Sequence, residues 1–125
     1  FNSCHYTDSC LGAFIDKLKT RDDWNNTLVI LTADHGHRLP DNQDIQSSRR
    51  FRIPLLFLGG AVKSDSVIHT VGSQTDLANT LLAQLGAESA EFIFSKNLFA
   101  HTLKAHAAFF FNNGFGFVLP ENKIM

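Results

Sequence analysis

The spacing of apolar residues changes along the first half of the chain. Between Asp8 and Lys19 they recur every three or four positions, which is the spacing of one helical face. The run from Thr27 to Ala33 is instead continuous and β-branched, and a second apolar run extends from Ile53 to Leu58. Runs without polar alternation are typical of strands covered on both faces in a parallel sheet. The pattern predicts an amphipathic helix and two buried parallel strands.

A polar segment from Gly36 to Arg50 separates the two predicted strands. It contains Pro40 and several Asp, Asn, Gln and Ser residues, so it is predicted to be a loop. Loops of about 15 residues are in most cases either functional or disordered.

A second helix is predicted after Ser73. Asp76 follows three positions later, as in a capping box, and places this polar stretch at a helix start rather than in a polar site. The leucines that follow form an apolar face that ends at Gly86; they are Leu77, Leu81, Leu82 and Leu85.

The end of the chain is rich in phenylalanine and predicts a β-hairpin. Ala107–Phe111 and Phe115–Leu119 flank Asn112-Asn113-Gly114, a turn sequence. The three adjacent aromatic residues in the first run indicate a sheet that is buried on at least one face. A membrane-touching or ligand-stacking patch is the alternative.

Composition and charge narrow the class of protein. The 125 residues are 44% hydrophobic and 18% charged, as in one globular domain, and the formal net charge of −1 gives nucleic-acid binding no electrostatic support. Charged residues interrupt every apolar run well before the roughly 18 residues that a membrane span needs. Cys4 and Cys10 are too few for a disulfide scaffold and are interpreted as two separate buried thiols. The opening at Phe1 predicts that further sequence lies upstream.

Candidate chemistry begins where the first predicted strand ends. Asp34-His35-Gly36 follows this strand directly, at the carboxyl end where open α/β sheets bind ligands. A carboxylate oxygen and an imidazole nitrogen are ordinary ligands for Zn²⁺ or Mn²⁺, and a glycine leaves room beside an ion. Taken alone, such a pair is also compatible with an Asp that caps a turn and a His that packs.

Basic residues near this pair are candidate substrate contacts. Arg38, after His37, has the side chain to hold a phosphate or sulfate through paired hydrogen bonds, although a solvated loop pair explains both residues equally well. Arg49, Arg50 and Arg52 form a basic cluster that is better explained as a solvated entry to the second strand.

The order of several short blocks carries a family resemblance. The segment Asn26–Gly36 resembles the metal-ligand strand of the alkaline phosphatase and sulfatase superfamily, and the nearest branch includes lipoteichoic acid synthase and phosphoglycerol transferases. The further blocks, in order, are Tyr6-Thr7-Asp8, Leu11-Gly12, Arg52-Ile53-Pro54-Leu55, Ser73–Leu77 with Leu81-Leu82, Phe94–Leu98 and Asn113–Gly116. The resemblance covers nearly the whole chain.

The resemblance implies an α/β fold and a metal-dependent enzyme. In that superfamily a metal-bound Thr, Ser or formylglycine attacks a phosphate or sulfate ester. Asp34 and His35 match two late metal ligands, and His37 and Arg38 would contact substrate. The ion would be Mn, Zn, Mg or Ca in a site that this chain holds only in part. The nucleophile and the first acidic ligands are expected upstream, so residues 1–125 are expected to be the inactive C-terminal portion of a sulfatase-like catalytic domain.

Substrate, location and partners follow from the branch that the chain resembles. The parent protein is expected to be a phosphoglycerol-type transferase on a lipid- or glycan-linked ester, with its catalytic domain outside the cell membrane. Sulfate-ester hydrolysis is the alternative within the superfamily. A non-catalytic interaction domain, with self-association through exposed Phe surface, is the alternative from a different class.

Overall fold

The chain forms two compact units that each combine two segments. The computed structural model describes residues 2–100 and 104–120. The first unit contains Phe1–Asp34 and Ile53–Ser66, and the second contains His35–Arg52 and Val67–Met125. Each unit contains helical and strand residues, so the predicted mixed α/β class is confirmed. None of the described helices is long and apolar enough to cross a membrane.

The first helix, α1, spans Asn2–Lys19 and starts earlier than its apolar spacing predicts. Its C-terminal turn is stabilised by two lysines, and Thr20 donates its hydroxyl to the Lys17 carbonyl oxygen at 2.8 Å. No residue of α1 is buried. Cys4 and Cys10 are free and exposed, so the prediction of buried thiols was wrong, because residues 2–10 of the helix are all exposed.

A polar turn connects α1 to the first strand. Arg21 donates from Nε and Nη2 to the two carboxylate oxygens of Asp23, at 2.8 and 2.7 Å. These hydrogen bonds hold the pKa of the Asp23 carboxyl below its usual value and raise the pKa of Arg21. The short 3₁₀ helix Trp24–Asn26 follows and leads into the strand.

Strands β1 (Val29–Thr32) and β2 (Leu55–Leu58) pair antiparallel, with Val29 opposite Leu58 and Thr32 opposite Leu55. The expected parallel arrangement was wrong. A parallel pair needs a crossover, usually through an α-helix, whereas the residues between β1 and β2 form turns and one 3₁₀ helix. The chain therefore returns beside the strand it has just left.

The two strands are also less buried than predicted. Leu55 and Leu56 are exposed, and Val29, Ile30 and Leu31 are only partly buried. Continuous apolar runs indicate cover on both faces, yet this sheet has two strands and therefore two open edges.

Gly59 and Gly60 end β2 by lying against the backbone that precedes β1. Gly59 has φ +115°, and Ala61 donates its amide to the Thr27 carbonyl oxygen at 3.2 Å. A Cβ on Gly60 would stand 2.6 Å from the Asn25 Cα. Only glycine fits this close crossing.

In the second unit, the helix predicted after Ser73 begins as a 3₁₀ helix, Gln74–Asp76, and continues as α2, Leu77–Gln84. Ser73 and Asp76 form the expected capping box, and the Ser73 amide donates to Asp76 Oδ2 at 2.8 Å. At the other end Gly86 has φ +66°, and the amide of Ala87 reaches the carbonyl oxygen of Leu82 at 2.9 Å. This is the left-handed glycine stop of a Schellman motif.

Replacing Gly86 with alanine is expected to lower the free energy of unfolding by about 1 kcal/mol, because an L-residue is disfavoured at this φ. No atom lies within 4 Å of the added Cβ, so steric overlap contributes nothing. Urea denaturation followed by circular dichroism measures the loss. Gly86→Asn is the matched control and should lose less, since asparagine tolerates this conformation; equal losses would contradict the explanation.

A buried polar cluster joins α2 to the segment Ser95–Leu98. Asp76 is fully buried, and its Oδ1 accepts from both the amide and the Nζ of Lys96, each at 2.9 Å. Thr80, also fully buried, donates to the Asp76 carbonyl oxygen at 2.6 Å and accepts from the Leu98 amide at 3.0 Å. Because each of these polar groups forms a hydrogen bond, the free-energy cost of burying them is small.

The predicted hairpin is present, with β3 at Ala107–Phe111 and β4 at Gly114–Val118. On one face Phe109 is buried opposite Gly116, and Phe111 lies over Gly114. On the other face Phe110 is 72% exposed. The prediction of burial on at least one face is confirmed.

Candidate functional site

The predicted site begins just beyond β1. Thr32 ends the strand, and Asp34, two residues later, is exposed and is the last residue of its segment in the first unit. The early end of the strand leaves Ala33 and Asp34 outside the ladder of the β-sheet. The Asp34 carboxylate therefore lies at the carboxyl end of the strand, as its sequence position predicts.

His35 begins the second unit, and a hydrogen bond identifies the tautomer of its ring. Its Nδ1 lies 2.9 Å from the carbonyl oxygen of Gly36. A carbonyl oxygen can only accept, so Nδ1 carries the proton, and in the neutral ring Nε2 bears the lone pair. Histidine ligands of metals are commonly oriented in this way, with the second nitrogen bonded to a carbonyl or carboxylate.

His37 has the opposite tautomer. Its Nδ1 accepts a hydrogen bond from the Leu39 amide at 3.1 Å, so in the neutral ring the proton is on Nε2. His37 thus offers an N–H donor, which suits an anionic oxygen, whereas His35 offers a lone pair, which suits a cation. Both side chains are exposed. His35 and His37 are two positions apart, yet their rings can bind groups of opposite charge.

The polar loop after His35 is held in place by turns within it. The Arg38 carbonyl oxygen accepts from the Gln43 amide at 2.8 Å, and Ser47 donates its hydroxyl to Gln43 Oε1 at 3.0 Å. The Asp44 carboxylate accepts from the Gln46 amide at 2.9 Å. The Arg38 side chain is exposed at the start of this turn.

The ends of the loop meet at Gly36. A Cβ built on Gly36 would overlap the Arg50 carbonyl oxygen and lie 2.9 Å from the Cα of Phe51. Loops of 6–16 residues with closely placed ends are compact Ω-loops, which are frequently functional. Residues 36–51 fit this description, so the predicted long loop is an ordered element. The sequence analysis did not identify Phe51 as a residue that contacts Gly36. The one sequence feature that pointed to such a contact was Gly36 itself, because a glycine allows another part of the backbone to approach closely.

The remaining arginines lie in and directly after the 3₁₀ helix that closes the loop. The 3₁₀ helix Ser48–Phe51 carries Arg49, which is exposed, and Arg50, which is partly buried, and Arg52 follows it. Arg49 and Arg52 are exposed, as a solvated strand entry would have them, whereas Arg50 is partly buried.

Metal ligation is not completed by nearby side chains. Within residues 2–100 and 104–120, no three His, Cys, Asp or Glu side chains come together as a metal site. Two ligands from adjacent residues are fewer than the four that zinc sites usually have. Metal binding by Asp34 and His35 stays a prediction.

Comparison with known proteins decides the family. The family model described as Sulfatase matches residues 1–87, which include both helices, β1, β2 and the candidate site. The chain belongs to the sulfatase family. The sequence resemblance to this superfamily is thereby confirmed.

Several relatives extend the sulfatase match. Arylsulfatase K from Canis lupus familiaris is 33% identical over 88 residues, covering 67% of this chain and 16% of the relative. PehA of Trinickia caryophylli, a multifunctional alkaline phosphatase superfamily protein, is 31% identical over 66% of this chain and 17% of its own length. Lipoteichoic acid synthase 1 of Bacillus subtilis (strain 168) is 28% identical over 97% of this chain and 20% of the relative. No solved structure matches the chain.

The chain spans about a sixth to a fifth of the length of these relatives. The relatives include both sulfatases and the lipoteichoic acid synthase branch, so family membership does not by itself choose a substrate.

Proposed function

We propose that this chain contributes two metal ligands, Asp34 and His35, to an enzyme that cleaves or transfers phosphate or sulfate esters. The observation that carries the proposal is the hydrogen bond from His35 Nδ1 to the Gly36 carbonyl oxygen at 2.9 Å, which leaves the lone pair on Nε2. The neighbouring carboxylate of Asp34 supplies a negatively charged oxygen ligand. Both donor types fit Mn, Zn, Mg or Ca, with Mn and Zn the better match to imidazole.

A divalent ion bound there would neutralise ester oxygens and lower the pKa of a hydroxyl nucleophile. The residues of this chain would bind and orient the ion. His35 and Asp34 would hold the ion, and the Gly36 carbonyl oxygen would orient the His35 ring. The nucleophile and remaining ligands would come from elsewhere in the protein, and we expect residues 1–125 alone to be inactive.

His37 and Arg38 would contact the anionic substrate. In its neutral form His37 presents an Nε2–H donor because its Nδ1 accepts from the Leu39 amide. The Arg38 guanidinium is exposed at the start of the ordered loop, where paired hydrogen bonds to phosphate or sulfate oxygens are geometrically open to it. These two donors and a bound cation would together offset the charge of one ester group.

Phosphoglycerol-type transfer to a lipid- or glycan-linked acceptor is the substrate class we favour. The lipoteichoic acid synthase 1 alignment supports it, because that alignment reaches across 97% of the chain, including the Phe-rich hairpin. Such an enzyme would work at the outer side of the cell membrane.

Sulfate-ester hydrolysis is the second candidate. It is supported by the higher identity, 33%, to arylsulfatase K over 67% of this chain. The identity of the upstream nucleophile separates the two candidates: a Thr favours transfer, whereas a Cys or Ser in a formylglycine motif favours hydrolysis.

Titration calorimetry with Mn²⁺ or Zn²⁺ tests the metal proposal. The chain is expected to bind the ion weakly, with a dissociation constant in about the millimolar range, since two ligands provide only part of a site. Asp34→Ala/His35→Ala should abolish the heat of binding. Asp65→Ala/His69→Ala is the matched control, which removes the same residue types from exposed positions outside the candidate site and should retain the heat of binding. Equal binding by all three proteins would overturn the assignment.

A further inference from the structure

The Phe-rich hairpin is connected to the candidate metal ligand by a continuous series of contacts within the second unit. His35 is bonded to Gly36, whose backbone lies against Arg50 and Phe51. The Phe51 ring lies 4.8 Å from the ring of Phe109 on β3, at an angle of 31°. Each contact is between residues of the same unit.

Phe109 is well suited to hold this arrangement because it is fixed from the opposite side. It is 6% exposed, and its ring covers Gly116, its partner across the hairpin. A Cβ on Gly116 would overlap Cζ of the ring and lie 2.7 Å from Cε1. The ring of Phe111 lies beside it, with centroids 6.3 Å apart. Phe109 therefore has little freedom to move away from Phe51.

We propose that Phe109 is a positioning residue for His35, acting through Phe51 and the closed ends of the 36–51 loop. Packing against Phe109 holds the 3₁₀ helix that carries Phe51, and this helix in turn fixes the backbone of Gly36, whose carbonyl oxygen selects the His35 tautomer. This inference rests on the proposed function, since it assigns the hairpin a role in presenting His35 to a metal ion.

The hairpin lies beyond the segment that the Sulfatase model matches, which ends at residue 87. The family match therefore gives no reason to expect this role. It follows instead from the contacts between Phe109, Phe51 and Gly36.

Amide hydrogen exchange of the 125-residue chain tests the positioning without any metal. Gln43 and Arg50 report on the loop, because their amides donate to Arg38 and Ser47 within it. Leu98 reports on the buried cluster of the same unit, because its amide donates to Thr80. Phe109→Ala is expected to raise exchange at Gln43 and Arg50 by about tenfold while Leu98 stays protected.

Three variants separate positioning from general damage. Gly116→Ala keeps the ring but displaces it, so it should loosen the loop in the same direction as Phe109→Ala. Phe109→Leu keeps apolar bulk and should restore most of the protection. Phe110→Ala removes an exposed ring from the other face of the same strand and should change nothing.

A Mn²⁺ titration then measures presentation of His35. Paramagnetic broadening of the Gly36 amide signal is expected to require about tenfold more Mn²⁺ in Phe109→Ala and Gly116→Ala than in the unmodified chain or in Phe110→Ala. The double variant Phe51→Ala/Phe109→Ala should be no worse than either single variant, because both belong to one contact.

The outcomes are distinguishable. Loop exchange that is unchanged in both Phe109→Ala and Gly116→Ala overturns the positioning role, as does an equal rise at Leu98, which would show only general loosening. Absence of broadening in the unmodified chain overturns the proposed metal site instead. In that case the exchange data still decide whether Phe109 holds the loop.

Discussion

Asp76→Ala is expected to lower the free energy of unfolding by about 3–5 kcal/mol, because it leaves the Lys96 ammonium partly buried without its counter-charge. The Lys96 side chain is only 19% exposed, and Asp76 is fully buried. The same substitution removes the acceptor for the amides of Ser73 and Lys96. Since small domains have only about 5–15 kcal/mol of stability, the loss should be visible as a large fall in the urea midpoint.

Asp16→Ala is the matched control for Asp76→Ala. Asp16 and Lys19 also form an Asp–Lys pair, at 3.1 Å, but both side chains are more than half exposed on α1. Water screens such pairs, so we expect a loss of at most about 0.5 kcal/mol. Lys96→Met should lie between the two, because Asp76 keeps its backbone partners. If Asp76→Ala cost no more than Asp16→Ala, burial would not be the source of the effect.

Gly36→Ala is expected to destabilise the loop by about 1–3 kcal/mol and to weaken Mn²⁺ binding together with it. The added methyl group would overlap the Arg50 carbonyl oxygen and crowd the Phe51 Cα at 2.9 Å. Both neighbours are backbone atoms, which cannot rotate out of the way as a side chain would. The loop ends must therefore separate, which displaces the carbonyl oxygen that orients His35. Thermal unfolding and Mn²⁺ titration measure the two effects.

Gly12→Ala provides the control for the glycine substitution itself. Gly12 lies within α1, and nothing lies within 4 Å of a Cβ at this position. Alanine is favoured over glycine in a helix by about 0.5–1 kcal/mol, so this variant should be slightly more stable. Loss of stability in Gly12→Ala, or an unchanged Gly36→Ala, would contradict the steric explanation.

Local rules predicted the parts of the fold that depend on neighbouring residues. The capping box of Ser73 and Asp76, the stop at Gly86 and the hairpin turn before Gly114 involve positions within a few residues of each other. In the first two cases the side chain or the allowed φ determines the structure directly, and the hairpin follows from the turn sequence between its strands. Such features need no knowledge of the tertiary fold.

Strand direction and burial depend on residues that are distant in the sequence. The apolar runs of β1 and β2 predicted two-sided cover and hence a parallel sheet, whereas the chain pairs them antiparallel. A continuous apolar run reports how hydrophobic both faces are, and it bears on strand direction only through the two-sided cover that parallel sheets usually have. The segment that connects β1 to β2 was the better indicator of strand direction. Residues 36–50 lack the apolar spacing of an α-helix, which a crossover between parallel strands usually contains.

For the candidate site, the sequence suggested which residues to consider, and the structure showed the hydrogen bonds that their side chains form. Asp34-His35-Gly36 was chosen for its position after a strand, and its metal-binding role stays a prediction. The opposite tautomers of His35 and His37 could not have been predicted, because they depend on which backbone groups the two rings meet. The Asp76–Lys96 pair was equally hidden, since its members are 20 positions apart.

The fit between Phe109 and Gly116 also constrains how this sequence can change over time. The ring occupies the volume that a side chain at position 116 would need, so neither position can vary alone without overlap or a void. A homologue with a small residue at 109 gains room for a larger one at 116. We therefore expect the two positions to covary, with the total side-chain volume across the hairpin nearly conserved.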